Sequence, residues 1–251
     1  MKFFVSKNQI NNNKIEIIGS DVNHIKNVLR KKEKDNLSIV CKESNTNYIG
    51  EILDIGQDKV VLNIIKECDS NSESNVNIHI FQGLPKSDKM ELIIQKCTEL
   101  GVTDITPVIF KRSVVKIDEK DKDKKISRWN KIAEVAAKQS ERDSILEVHN
   151  VISLKDINDY LEEKFDKIIV AYEKEKDCYI KNILINMKKK DNLKIAVIIG
   201  PEGGIDEEEI DLLKKNGAEC ITLGKRILRT ETAPIVLSSI IMYELGDVGG
   251  I

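Results

Sequence analysis

The sequence predicts an α/β protein in which a mostly parallel sheet is covered by helices and is preceded by a small β-rich domain. From Val76 onward, short apolar runs alternate with stretches of helical periodicity, the pattern of a parallel sheet with crossover helices. Before Val76 lie several strand-like runs and then the polar segment Glu67–Asn75, which is typical of a linker. We therefore predict two domains, residues 1–70 and 71–251.

The first domain is predicted to consist of strands with one short helix. Gly56-Gln57-Asp58 separates two β-branched runs and predicts a hairpin turn. Ser20 and Asp21 begin a helix that is expected to end near Arg30. The predicted strands are Lys14–Ile18, Leu37–Cys41, Tyr48–Ile55 and Lys59–Ile65.

In the second domain, strands and helices are predicted to alternate. Asp88 and Glu91 have the spacing of a capping box, and Trp129 is expected in the core. The charged runs Asp118–Lys125 and Lys188–Lys190 are expected to be solvated. The predicted strands are Val76–Gln82, Ile105–Ile109, Lys167–Ala171, Ile195–Ile199 and Cys220–Leu223, and the predicted helices are Ser87–Leu100, Arg128–Ser140, one starting at Asp206, and Glu231–Leu245.

Composition narrows the function classes. A formal charge of −2 over 251 residues excludes a general polyanion binder, which would be strongly basic. Five scattered cysteines without a C-x-x-C pair indicate a reducing, cytoplasmic compartment and neither a zinc knuckle nor a redox motif. No run reaches membrane-spanning length. The histidines His24, His79 and His149 are far apart in sequence, so we expect no metal site.

The turn Gly200-Pro201-Glu202-Gly203-Gly204 follows a buried-strand run and precedes a helix. Its glycines favour close backbone approach to a ligand, but the spacing is neither a dinucleotide nor a Walker motif. Asp206, Glu207, Glu208 and Glu209 follow at once, and their charges would repel a polyphosphate. A cationic or zwitterionic ligand tolerates that field. Asp206 is predicted to cap the helix, an alternative that explains the acids without any ligand.

A second turn follows the strand Cys220–Leu223. It holds Lys225, Arg226 and Arg229, then Thr230 as the predicted N-cap and Pro234 in the first helical turn. Helix capping does not explain the presence of Arg229 and Glu231 in this turn. Turns at the same ends of neighbouring strands form a ligand-binding crevice in α/β sheets, so the two turns are predicted to share one site.

Several basic residues are candidates for RNA contacts, against the alternative that they are ordinary surface charges. Arg112 and Arg142 have the guanidinium fork that matches phosphate oxygens. Lys86 lies in the segment Gly83–Lys86 at the end of the first strand of the second domain, and His24 with Arg30-Lys31-Lys32 forms the densest basic patch of the first domain.

Six short segments together carry a family resemblance over nearly the whole chain: His24–Arg30, Glu99–Val102, Arg112-Ser113, Gln139–Arg142, Ile199–Gly204 and Leu223–Ala233. Each is weak alone, but in this order they resemble the RsmE family of 16S rRNA uridine-N3 methyltransferases, in the SPOUT superfamily. The sequence departs from the family pattern at Tyr172-Glu173 and at the insert Asp118–Lys125.

The resemblance implies a PUA-like β-barrel followed by a trefoil-knotted methyltransferase domain, S-adenosylmethionine as cofactor, 16S rRNA of the small subunit as partner, and a homodimer. It implies that Arg229 stabilises charge on the uracil, while Glu202, Glu231 or water remain alternatives for the base. The cofactor-binding residues it implies are Tyr172, Glu173, Ile199, Gly200, Pro201, Glu202, Gly203, Gly204, Leu223, Gly224, Ile227, Leu228, Thr232 and Ala233.

Two other functions stay open at this stage. One is methylation of a ribose 2′-hydroxyl or of another base, and the other is a non-catalytic RNA-binding role in ribosome assembly. Gly203→Val is expected to abolish cofactor binding while leaving the fold largely intact, because a β-branched side chain would block close backbone approach.

Overall fold

The computed structural model describes residues 1–69, 72–115, 117–161, 165–187 and 192–250. The chain forms two compact units, one of Met1–Glu73 with Ala137–Ser144 and one of Ser74–Ala136 with Ile145–Ile251. The predicted boundary between residues 70 and 71 and the predicted charged run Lys188–Lys190 lie outside the described residues.

The first unit is a six-stranded sheet in the order β1-β4-β5-β6-β3-β2. β1 pairs in parallel with β4 and the other pairs are antiparallel. Register shifts between β5 and β6 bend the sheet, as bulges do. No pairing of β1 with β2 is found in the part of the chain described. The strands are β1 (Lys2–Val5), β2 (Ile10–Asn11), β3 (Lys14–Ile18), β4 (Asn36–Cys41), β5 (Thr46–Ile55) and β6 (Lys59–Cys68).

The predicted hairpin and helix of this unit are both confirmed. The amide of Gly56 donates to the carbonyl of Lys59 at 2.9 Å in the hairpin. The helix begins at Ser20 as α1 (Ser20–Asn23) and continues as a π-helical turn, His24–Val28, which was not predicted. It ends before Arg30, which has a positive φ of 51°, a conformation that ends a helix.

The second unit has a seven-stranded sheet in the order β10-β8-β7-β12-β11-β13, with β9 beside β8. Every pairing described is parallel, which confirms the predicted parallel sheet. The strands are β7 (Val76–Gly83), β8 (Asp104–Ile109), β9 (Glu147–Val148), β10 (Ile152–Ser153), β11 (Lys167–Ala171), β12 (Leu193–Ile199) and β13 (Glu219–Ile221).

Helices cover both faces of this sheet. One apolar cluster joins the strands to α2, α3, α5 and α7, and includes Trp129, which confirms its predicted burial. The other joins them to α4 and α6. The helices are α2 (Lys89–Glu99), α3 (Glu119–Gln139), α4 (Ile157–Leu161), α5 (Ile180–Ile185), α6 (Glu207–Lys215) and α7 (Thr232–Leu245). Among the described residues, none of the helices is both long and apolar enough to cross a bilayer.

Two helix predictions need correction. α3 starts at Glu119 and not at the predicted Arg128, so most of the run Asp118–Lys125 forms its first turns. The Asp88–Glu91 capping box does not form, because the carboxylate of Glu91 lies 2.7 Å from the guanidinium of Arg128 and pairs with it instead.

Candidate active site

A cavity of about 550 Å³ lies beyond the carboxyl ends of β11, β12 and β13. Ala171, Ile199 and Ile221 stand at the same level in the sheet, because Ala171 is in register with both of the others. β11 lies between β12 and β13, so the prediction that the two motif-bearing strands are neighbours is wrong. The end of β11 therefore supplies a third wall, with Tyr172 and Glu173.

Of the residues predicted to bind the cofactor, all but Thr232 line this cavity. Arg229 lines it as well, whereas Glu231 does not. Sequence reasoning missed six further lining residues, Lys89, Ala171, Ile221, Thr222, Arg226 and Thr230. Lys89 is the most informative of these, because it brings a cation from α2 to the cavity.

Chain packing explains the glycines of the first turn. A Cβ on Gly203 would lie 2.8 Å from the carbonyl oxygen of Arg112, and one on Gly200 would lie 2.7 Å from Cγ1 of Ile205. Gly204 has a φ of +71°, which favours glycine. The rationale for Gly203→Val is therefore corrected: the new side chain would collide with the Arg112 loop and disturb the turn itself.

Thr230 ties the second turn to the centre of the sheet. Its hydroxyl donates to the carbonyl of Gly200 at 2.7 Å and accepts from Nε2 of Gln82 at 3.0 Å. The prediction that Thr230 is the N-cap of the last helix is wrong, because α7 begins at Thr232 with Glu231 in the cap position. The prediction for Pro234 is confirmed, since it lies in the first turn of α7.

Lys89 joins the two motif turns electrostatically. Its Nζ lies 3.1 Å from Oε1 of Glu202 and 3.1 Å from Oε2 of Glu231, and these contacts raise the pKa of Lys89. Partial burial opposes ionisation of Glu202, but the Lys86 amide and the Lys89 ammonium outweigh it and hold the pKa of Glu202 below its usual range. Both carboxylates are thus held beside one cation.

The acids after the first turn are neutralised locally. Asp206 caps α6, as predicted, and Glu209 completes a capping box with it. Its carboxylate also pairs with Lys111 at 3.3 Å and Arg112 at 3.0 Å. The hydrogen bond from Lys111 is the main reason that the pKa of Asp206 is lowered. Asp206 therefore shapes the start of α6 and has its own cationic partners.

Arg229 is an exposed charged group of the second turn. Its side chain is 83% exposed, and Nη1 lies 3.9 Å from Oε1 of Glu231. A guanidinium that lines the cavity and stays accessible can meet a group entering from solvent. Its charge persists at every relevant pH.

The residues predicted to bind RNA fall into two groups. The prediction that Arg142 contacts an RNA phosphate needs correction. Its side chain is only 4% exposed and pairs with Glu73 at 2.7 Å inside the first unit, so it has no surface for a phosphate. His24 is half-buried against Phe3. Arg30, Lys86 and Arg112 are exposed, and no contact described tests their role.

The structure also brings together two histidines that are distant in sequence. His79 and His149 have ring centroids 5.2 Å apart, and Nε2 of His149 lies 2.8 Å from Asp104. Burial lowers the pKa of His79 to about 4, while the hydrogen bond to Asp104 raises the pKa of His149. Sequence spacing gave no signal of this cluster, since parallel strand register creates it.

Comparisons with known proteins give consistent results. The profile of an RNA methyltransferase domain family matches residues 72–242, and that of an RNA methyltransferase PUA domain matches residues 17–65. The ribosomal RNA small subunit methyltransferase E of Bacillus subtilis is 38% identical over 91% of this chain and 89% of its own. The enzyme of the same name from Mesomycoplasma hyopneumoniae is 33% identical over 94% and 96%.

Solved structures agree. Ribosomal RNA small subunit methyltransferase E of Neisseria gonorrhoeae, bound to S-adenosylmethionine, superposes with a TM-score of 0.84 at 28% identity, over 98% of each chain. A putative methyltransferase of Legionella pneumophila, in complex with the same cofactor, has a TM-score of 0.85 at 29% identity, also over 98% of each chain.

Proposed function

The chain belongs to the RsmE family of RNA methyltransferases, and on that premise we propose that it methylates N3 of a uridine in 16S rRNA of the small ribosomal subunit. The methyl donor is S-adenosylmethionine. The observation that carries the proposal is the cavity that three strand ends and both motif turns enclose.

The cavity fits this cofactor in size and chemistry. Its volume of about 550 Å³ is within the range of small-molecule sites, roughly 300–1,000 Å³. Ile199, Leu223 and Leu228 give it apolar walls, and the turns give it backbone donors and acceptors for an adenosine. Glu173 and Glu202 bring carboxylates to the cavity, and a carboxylate attracts the positive sulfur of a sulfonium.

Methylation of N3 needs a nucleophile that has lost its proton. When bound, S-adenosylmethionine supplies an electrophilic methyl group on a positively charged sulfur. Arg229 faces the same cavity with an accessible guanidinium, and in our proposal it stabilises the negative charge that develops on the uracil as the N3 proton leaves. Its planar fork can meet a carbonyl oxygen and a ring nitrogen together.

Glu202, Glu231 and water remain the alternatives for the group that accepts the proton. Lys89 contacts both carboxylates and helps to hold the pKa of Glu202 below its usual range. An ionised carboxylate is the form that can accept a proton. Glu231 in turn lies 3.9 Å from Arg229, so the ion pairs of Lys89 extend towards the catalytic arginine.

We also propose that the first unit is a closed barrel, that the second contains a trefoil knot, that the protein is a homodimer and that it is cytoplasmic. The return of the chain after β13 to Gly200 and Gln82, through Thr230, supports the knot. Tyr243 on α7 is 66% exposed, and Ile235, Val236 and Ile240 are half-buried, which supports an apolar face for a second copy. The proposed action on ribosomal RNA is the reason for the proposed cytoplasmic location.

Arg30, Lys86 and Arg112 are exposed cations and remain our candidates for phosphate contacts. Such contacts position RNA without reading its sequence. Their separate loss would weaken binding to small-subunit particles and reduce its salt dependence.

Calorimetric titration of S-adenosylmethionine separates the enzyme from a non-catalytic assembly factor. We expect saturable binding by the wild type and loss of binding in Leu223→Trp, whose indole would fill the cavity. Leu53→Trp is the matched control, because Leu53 is an exposed leucine of the first unit. Absence of binding by the folded wild type would contradict the proposal.

A further inference from the structure

Three neighbouring strands bring two histidines and an aspartate together at the amino-terminal half of the parallel sheet. His79 on β7 is in register with Asp104, the first residue of β8, and Asp104 is in register with Glu147 on β9. His149 follows β9 directly, and its amide donates to the carbonyl of Ile105 at 2.9 Å. Backbone pairing therefore fixes the positions of all three side chains.

The side chains meet at short distances. One ligand atom from each of His79, Asp104 and His149 lies within 4.8 Å of the other two. Nε2 of His149 is 2.8 Å from Oδ1 of Asp104. A zinc ion holds nitrogen and oxygen ligands at about 2.0–2.2 Å, so ligand atoms around one ion lie no more than about 4.4 Å apart. A small side-chain rotation would bring the ligand atoms from their present separations to those around an ion.

An outer partner orients the first imidazole. Nε2 of His79 lies 2.8 Å from the hydroxyl of Thr106, which leaves Nδ1 for a metal. Nε2 of His149 is the ring nitrogen beside Asp104, and the carboxylate of Glu147 lies 3.7 Å from Nδ1, beyond hydrogen-bond distance. Second groups of this kind, which fix the ring and its tautomer, accompany most metal-binding histidines.

The surroundings combine an apolar wall with access to solvent. Phe81 stacks on His79 with a centroid distance of 4.3 Å, and Phe165 meets it edge-on at 5.8 Å. The side chains of Asp104 and His149 remain 31% and 26% exposed. An ion can thus enter, and water can complete its coordination.

We propose that His79, Asp104 and His149 form a binding site for a divalent transition-metal ion, with zinc as the best match. Two imidazoles and one carboxylate suit zinc, and also cobalt and nickel, better than magnesium or calcium, which take oxygen ligands. The site is separate from the cofactor cavity. His79 is in register with Ala196, three residues before Ile199, a distance of about 10 Å along the strand. The ion would clamp β7, β8 and β9 together.

Titration of cobalt(II) into the chelator-treated full chain tests this site. Co²⁺ is the probe because its visible spectrum distinguishes nitrogen and oxygen ligands from thiolates, and all five cysteines are free. We expect saturable binding of one ion per chain, without the strong near-ultraviolet charge-transfer band of a thiolate complex. Zinc should displace the cobalt.

Substitutions of the proposed ligands test which residues bind the ion. His149→Gln and Asp104→Asn should each weaken Co²⁺ binding at least tenfold, and Glu147→Gln should weaken it less because it acts through His149. His24→Gln is the matched control, since His24 lies in the other unit, and it should bind as the wild type does. Because His149 is partly exposed, its variant is expected to fold, which circular dichroism checks.

The same proteins give a second readout. Zinc should raise the melting temperature of the wild type and of His24→Gln, and it should not raise that of His149→Gln. The proposal is overturned if the wild type shows no saturable Co²⁺ binding, if the spectrum is that of a thiolate complex, or if folded His149→Gln binds Co²⁺ as tightly as the wild type. None of these results depends on methyl transfer.

Discussion

The carboxyl ends and the amino-terminal half of the same parallel sheet are organised in different ways. At the carboxyl ends, two glycine-containing turns and the end of β11 form a cavity lined largely by backbone and apolar groups. At the amino-terminal half, His79, Asp104 and His149 form a compact polar cluster. The first region is made of contiguous motifs, and the second is made by strand register alone. Substitutions at the carboxyl ends should therefore change methyl transfer without affecting the histidine cluster. Substitutions in the amino-terminal half should leave methyl transfer unchanged.

The largest effect is expected at Arg229. Arg229→Ala should reduce the single-turnover methylation rate by two or more orders of magnitude, a loss of at least about 3 kcal/mol of transition-state stabilisation. Affinity for S-adenosylmethionine should change far less. Arg229→Lys should restore activity only in part, because an ammonium is a point charge.

Lys225→Ala is the matched control for that measurement, since Lys225 is an exposed cation of the same turn. We expect a near-normal rate from this variant. If Arg229→Ala also retained a near-normal rate, the role of Arg229 would be refuted, and attention would pass to Arg112 as the arginine that holds the target base.

Thr230→Val tests how far the cavity depends on the link between its turns. The substitution leaves the carbonyl of Gly200 without its donor and removes one acceptor from the fully buried Gln82. We expect a loss of about 2 kcal/mol in the free energy of unfolding, measured by urea titration. Thr230→Ser keeps the hydroxyl and should lose much less, and a Thr230→Val variant as stable as the wild type would refute the contribution of the hydrogen bonds.

Lys89→Met tests the electrostatic link between the turns. Without the ammonium, the pKa of Glu202 should rise, so the carboxylate is lost at a higher pH as the solution is acidified. If this carboxylate must be ionised, the acidic limb of the pH–rate profile moves to higher pH. We expect the rate to fall below that of the wild type on this acidic limb and to match it near neutral pH, where the carboxylate is ionised in both proteins.

The control for Lys89→Met is Lys96→Met, which removes a half-buried lysine of the same helix that pairs with Glu99. Its profile should match that of the wild type. A Lys89→Met profile that also matches would mean that ionisation of these carboxylates does not limit the reaction.

The smallest effect is expected from Asn130→Ala, at the amino-terminal half of the sheet. Asn130 bonds both backbone groups of Val148, with N···O distances of 3.0 Å each, and so anchors β9. We expect a loss of about 1 kcal/mol in unfolding free energy, because water replaces part of the lost bonding. The rate of methyl transfer by the folded protein should not change. A large fall in that rate would show that the two regions are coupled.

The comparison also explains which features the sequence could predict. The parallel sheet follows from alternating periodicity, and Ile199–Gly204 and Leu223–Ala233 are contiguous, so their residues could be assigned to one site before the structure was known. Lys89 and the two histidines could not, because each joins its partners through tertiary contacts between distant segments. Arg142 shows the opposite error: its burial with Glu73 depends on packing within the first unit, and a buried arginine has the same sequence signal as an exposed one.

The most direct test of the central claim is the identity of the methylated nucleoside. Small ribosomal subunits from a strain that lacks this protein would be incubated with the wild-type protein and methyl-labelled S-adenosylmethionine, and the rRNA would then be digested and separated by mass spectrometry. The account predicts label in N3-methyluridine at one position, and none with Arg229→Ala under single-turnover conditions. Label in a ribose-methylated nucleoside or in another base, or no transfer by a wild-type protein that binds the cofactor, would contradict it.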